Sequence, residues 1–138
     1  MIRNILIIDA QGGGLGKQLV ASLKKSFPNI ELTAVGTNSL ATSAMLKAGA
    51  DHAATGENAV RVCAARADII IGPIGIVIAD SLYGEITPDM ALAVGRSRAK
   101  RILLPVNHCD NIVVGVAELN TGKLMEEVIK KVGEELGE

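Results

Sequence analysis

Short aliphatic runs alternate with helical repeats along the chain, and this alternation restricts the fold more than any other feature. The runs cover residues 2–8, 30–35, 52–54, 69–71 and 101–105. Short, continuously apolar runs suit strands buried on both faces, as parallel strands are. After the first run, Leu15, Leu19, Val20, Leu23 and Phe27 recur at helical spacing until Pro28 ends the pattern. A second helix is expected over 39–48, with Leu40, Ala44 and Met45 inward and Gly49 as its C-terminal cap. A third runs from Glu57 to about Arg66. The fourth opens at Thr87-Pro88, with threonine as cap and proline in the first helical position. The last follows Asn120-Thr121 and carries Leu124, Val128, Ile129, Val132 and Leu136 in one stripe. Residues 76–79 are read as extended and 112–116 as a sixth strand.

This order predicts a three-layer Rossmann-like α/β fold over residues 1–138 as one domain, its sheet mostly parallel and helices on both faces. The chain is 49% hydrophobic, enough for a core without disulfide or metal staples. Of the two cysteines, Cys63 shares a helical face with Val60, Ala64 and Ala67 and is read as a small buried hydrophobe. No apolar run approaches the roughly 18 residues that span a bilayer, and no secretion signal is recognised, so a cytoplasmic protein is expected. A net charge of -1 and only two aromatic residues, Phe27 and Tyr83, argue against a nucleic-acid binder.

Gln11-Gly12-Gly13-Gly14-Leu15-Gly16-Lys17 lies between the first strand and the first helix. Glycine admits positive φ and close approach of a ligand to the backbone, at a cost in folding entropy. A tight turn accounts for one or two glycines. Four within five residues suit a nest of amide N–H groups aimed at an anion where the helix begins.

The loop departs from each familiar phosphate-binding pattern. Lys17 breaks G-x-G-x-x-G counted from Gly12. Against the short-chain dehydrogenase pattern T-G-x-x-x-G-x-G, Asp9 and Ala10 replace the first two residues. Gly13 to Lys17 looks like a deviant Walker loop, but Gln18 stands where a hydroxyl should hold magnesium. The acid expected at the end of the second strand, to hold a ribose, is replaced by Thr37 and Asn38. A Tyr-x-x-x-Lys pair is missing, because Thr87 lies four residues after Tyr83.

With the segments Gly36-Thr37-Asn38, 54–58 and 71–75, the loop from Ile8 to Gln18 resembles an uncharacterised bacterial family of small Rossmann-like proteins, carried as a domain of unknown function. The family's first loop usually has glycine where this chain has Ala10. The resemblance implies the fold and names no activity.

The expected ligand is a phosphate-bearing small molecule: NAD, NADP or another nucleotide. Its candidate contacts are Asp9, Gln11, Gly12, Gly13, Gly14, Leu15, Gly16, Lys17, Thr37, Asn38, Gly72, Pro73 and Gly75. Each has a competing reading. Asp9 suits capping of the loop amides or an ion pair with Lys17, Lys17 suits a solvated first turn, and Gly72-Pro73-Ile74-Gly75 suits tight packing. Glu57 and Asn58 favour a helix start. Asn107-His108-Cys109-Asp110 groups nucleophile, base and acid types in what reads as a surface loop, without further metal ligands. Arg96, Arg98, Lys100 and Arg101 complement a helix C-terminus. No catalytic residue is assigned. An oxidoreductase using His108, Glu57 or Glu85 and a non-catalytic assembly subunit are the alternatives, and a homo-oligomer is expected.

Overall fold

A computed structural model describes residues 2–106, 110–117 and 119–137. Five strands, β1 (Ile5–Asp9), β2 (Leu32–Gly36), β3 (His52–Thr55), β4 (Ile69–Pro73) and β5 (Lys100–Leu104), form one sheet in the order β3-β2-β1-β4-β5. Every pairing is parallel, with Ile5 opposite Leu32 on one side and Ile69 on the other. The helices are α1 (Gly14–Ser26), α2 (Ser39–Lys47), α3 (Glu57–Arg66), α4 (Pro88–Arg96) and α5 (Thr121–Leu136).

Side-chain alternation along β1 divides the core into two layers. Ile5 and Ile7 pack with Leu19, Val20 and Leu23 of α1, Met45 of α2 and Val128 and Val132 of α5. Leu6 and Ile8 face the other way, against Val60 and Ala64 of α3 and Met90 and Val94 of α4. Every residue of β1 is buried. Burying an aliphatic side chain of this size contributes about 1.5–3 kcal/mol, so the central strand anchors both layers. The three-layer Rossmann-like fold is therefore present.

Parallel strands place all their following loops on one edge. The chain runs outward through β2 and β3, then returns to the other side of β1 as β4. Such a reversal opens a crevice at the carboxyl ends of β1 and β4, where ligands bind in sheets of this kind.

Three expectations need correction. Residues 112–116 form no strand: Ile112 and Val114 are 90% and 91% exposed and pair with no neighbour in the sheet. Residues 76–79 form no strand: Ile74–Val77 closes into a 3₁₀ turn, and of this stretch Ile78, just after it, has extended dihedrals. Leu40 is 67% exposed; α2 buries Met45, as expected, and Ala41 in place of Leu40. The backbone of Ala41 approaches Gly13 closely, and that contact orients the helix by small size rather than hydrophobicity. Among the described residues no helix is long and apolar enough to cross a membrane.

Candidate functional site

The glycines after β1 fall into two groups. Gly13 adopts φ +74, and a Cβ there would lie 2.7 Å from the Ala41 Cα. At Gly16 a Cβ would lie 2.5 Å from Met45 Sδ and 2.9 Å from Asp9 Cβ. Packing and backbone geometry account for both. Gly12 and Gly14 differ: neither has positive φ, and a Cβ at either would meet nothing within 4 Å. Both are exposed.

The loop amides divide in the same way. Gly13 N–H donates to the Ala10 carbonyl at 3.1 Å. Gly16 N–H donates to Asp9 Oδ2 at 2.6 Å, and Ala10 N–H to Asp9 Oδ1 at 2.8 Å. Among the described residues, the N–H groups of Gly12, Gly14 and Leu15 have no acceptor. Gly13 caps α1 without a side-chain bond, and the first turn carries no acid. Three amides without a protein acceptor among the described residues thus cluster at a helix start, whose partial positive charge attracts anions.

Asp9 is 6% exposed and caps the loop rather than pairing with Lys17. Burial pushes its carboxyl above the usual range, the Gly16 and Ala10 amides oppose that rise, and the charge of Glu85 adds to it. The Lys17 side chain is exposed and makes no ion pair among the described residues.

Glu85 joins the site from the loop between the 3₁₀ turn and α4. Its Oε1 accepts from Gln11 N–H at 2.9 Å, Thr37 Oγ1 at 2.7 Å and Asn38 Nδ2 at 2.9 Å. Burial works against its charge, but the bonds from Thr37, Gln11 and Asn38 outweigh that effect and hold the carboxyl below its ordinary range. Asn38 is fully employed, since Oδ1 caps α2 through Ala41 N–H and Nδ2 also reaches the Gln11 carbonyl at 2.9 Å. Gln11 sits at φ 53, a left-handed conformation held by these contacts. The sequence supplied Gln11, Thr37 and Asn38 as site residues and Glu85 only as a candidate acid. Nothing near Glu85 in the sequence marks it for this position; the absence of an acid after β2 is the one signal that could have turned attention to acids elsewhere in the chain.

Across the crevice, a Cβ at Gly72 would lie 2.5 Å from the Ile8 carbonyl, and one at Gly75 would lie 3.0 Å from Ser81 Oγ. Close packing therefore accounts for both glycines, and Pro73 is buried at the end of β4. Glu57 accepts from Thr87 Oγ1, a contact that ties the start of α3 to the cap of α4. Arg101 donates to the Val94, Ser97 and Ala99 carbonyls at the end of α4. Asn107, His108 and Cys109 lie outside the described residues. Cys63 is half-buried, and burial pushes its thiol up. Among the described residues no group of three or more His, Cys, Asp or Glu is placed to hold a metal.

A cleft of about 330 Å³ lies at the opposite edge of the sheet, lined by Asn4, Glu31, Thr33, His52, Cys63 and Arg66 among others. It shares no residue with the glycine loop. Its size alone does not make it the better site, because the open amides and the strand reversal both lie at the carboxyl edge.

The family described as "Domain of unknown function (DUF3842)" matches residues 4–137. No curated protein matches the chain. Among solved structures, a dodecameric FMN-dependent UbiX-like decarboxylase from Escherichia coli O157:H7 is similar at 16% identity and a TM-score of 0.44, over 99% of this chain and 95% of that one. A likeness at that score bears on neither ligand nor assembly.

Proposed function

We propose that this chain, which belongs to the DUF3842 family of unknown function, is a nucleotide- or dinucleotide-binding protein that holds its ligand's phosphate on the amides of Gly12, Gly14 and Leu15. One observation carries this reading. Among the described residues, Gly12 and Gly14 have no packing or conformational need to be glycine, yet they flank open space beside amides without acceptors. Glycine where alanine would fit forfeits about 0.4–1 kcal/mol through the freedom of the unfolded chain, so a site for close ligand approach gives these positions a purpose.

Asp9 supports the loop from beneath by holding the Gly16 amide. Gln11, held in its left-handed conformation, sets the direction of the chain into Gly12. Lys17, unpaired in the first turn of α1, is placed to add charge on the ligand's outer side. Gly72, Pro73 and Gly75, at and just beyond the carboxyl end of β4, would line the far side of the crevice. NAD and NADP are the first candidates among nucleotides.

The surface site suits completion by a second copy of the chain, and the exposed apolar residues Ile112 and Val114 give such a homo-oligomer an apolar contact to bury. No residue here is assigned to a reaction. An oxidoreductase would use the same cofactor site and would require a substrate acid or base in addition.

A thermal-unfolding panel with NAD⁺, NADP⁺, ATP, ADP, FMN and a UDP-sugar tests the reading. A ligand at 100 times its Kd adds about 2.7 kcal/mol of stability. At least one nucleotide should raise the Tm, and Gly14→Val should abolish the rise. A panel that leaves the wild-type Tm unchanged at millimolar ligand contradicts the proposal.

A further inference from the structure

The acid that a ribose-binding Rossmann site would carry after β2 is missing from that position, but a carboxylate reaches the same place from elsewhere. Glu85 lies 48 and 47 residues from Thr37 and Asn38, yet its Oε1 accepts from both side chains and from the Gln11 amide. It therefore bridges the end of β2 and the entrance of the glycine loop. Its second oxygen, Oε2, has no partner among the described residues.

The segment that delivers Glu85 is built to hold it there. Asp80, Leu82 and Tyr83 all have positive φ between 56 and 65, a conformation that non-glycine residues adopt at a cost. Several contacts maintain it. Asp80 N–H donates to the Ile86 carbonyl at 2.7 Å, Ile86 N–H returns to the Ser81 carbonyl, and Ser81 Oγ donates to the Gly75 carbonyl. Leu82 and Ile86 are buried in the α3–α4 core layer. Backbone strain and three converging donors fix a carboxylate whose remaining acceptor is unused.

We infer that Glu85 determines ligand specificity by accepting a hydroxyl of the ligand's sugar at Oε2, so that the site takes an unphosphorylated ribose and rejects one carrying a phosphate there. The inference rests on the nucleotide reading above and deepens it. A carboxylate with a free acceptor complements a hydroxyl, which can donate. It repels a phosphate ester, which brings further negative charge and acceptor oxygens to the same point. The Thr37 and Asn38 donors do not compensate, because Oε1 already occupies them. The ligand is thus anionic at the glycine loop and a hydrogen-bond donor at Glu85.

NAD⁺ and NADP⁺ differ by this phosphate and serve as the probes, with Kd values measured by calorimetry on the full chain. The wild type should bind NAD⁺ at least tenfold more tightly than NADP⁺. Glu85→Gln, which removes the charge but retains a carbonyl oxygen for the three donors, should reduce that ratio to threefold or less. Should this variant fail to fold, Glu85→Asp withdraws the carboxylate by one methylene and should weaken NAD⁺ at least threefold with a smaller ratio. Binding of both dinucleotides with a ratio unchanged by either substitution overturns the role of Glu85 and leaves the glycine-loop reading intact. Tighter binding of both to Glu85→Gln also overturns it, because Glu85 would then occupy the ligand's place. No binding of any nucleotide overturns the loop reading and this inference together.

Discussion

Alanine substitution at the four loop glycines separates structural from functional glycine. At position 13, alanine would enter a left-handed conformation costing roughly 1–2 kcal/mol. Its Cβ would also meet the Ala41 backbone at 2.7 Å, which cannot turn aside. Overpacking of that kind costs about 1–3 kcal/mol. Gly13→Ala should therefore lose about 2–4 kcal/mol after a small gain from restricting the unfolded chain. Gly16→Ala meets the flexible end of Met45 but also Asp9 Cβ at 2.9 Å, and should lose about 1–2 kcal/mol. Gly12→Ala and Gly14→Ala meet nothing and need no positive φ. They should gain about 0.4–1 kcal/mol by the same unfolded-state effect, while weakening nucleotide binding. Urea unfolding followed by circular dichroism measures all four, with m unchanged across the series. Losses at 12 and 14 as large as those at 13 and 16 would refute the division, and the glycines would then be structural throughout.

Asp9→Asn presents an amide N–H to one of the two backbone N–H groups that Asp9 now accepts. Loss of a buried acceptor should cost about 1–3 kcal/mol, read from the denaturation midpoint. Asp68 behaves oppositely to Asp9 with pH. The Arg3 and Asn4 amides hold its carboxyl below its ordinary value of about 3.8. Its unfolded form binds a proton first, so its contribution is complete above that value and is lost as pH falls through the folded pKa. Wild-type stability should fall more steeply than that of Asp68→Asn between pH 5 and pH 2.5, and equal slopes would count against this. Ser substitution of both Ile112 and Val114 should abolish a concentration-dependent increase in mass in sedimentation, with an unchanged circular dichroism spectrum.

The elements that carry their own local pattern were legible in the sequence. The α5 stripe appears as expected at Leu124, Val128 and Val132. The expected caps at Thr87 and Asn120 each accept a backbone N–H of their helix, whereas the capping of α2 by Asn38, read only as a ligand contact, emerges from the structure. The β1–loop–α1 unit was equally visible, because glycine density and the change of periodicity lie within a few residues. What failed depended on distant partners. Residues 112–116 have β-branched composition, but a strand needs a neighbour, and none pairs there. Hydrophobicity alone would turn Leu40 inward, whereas the close approach of Ala41 to Gly13 decides which face of α2 turns in. The contact of Glu85 with Gln11 spans 74 residues and leaves no local trace.

Backbone amide NMR during a nucleotide titration tests the central claim most directly. With ¹⁵N-labelled protein and NAD⁺ or ADP, the resonances of Gly12, Gly14 and Leu15 should move most and saturate together. The Gly13 and Gly16 amides, already bonded to Ala10 and Asp9, should move less. Saturation by a nucleotide that leaves the Gly12, Gly14 and Leu15 resonances in place would contradict the account.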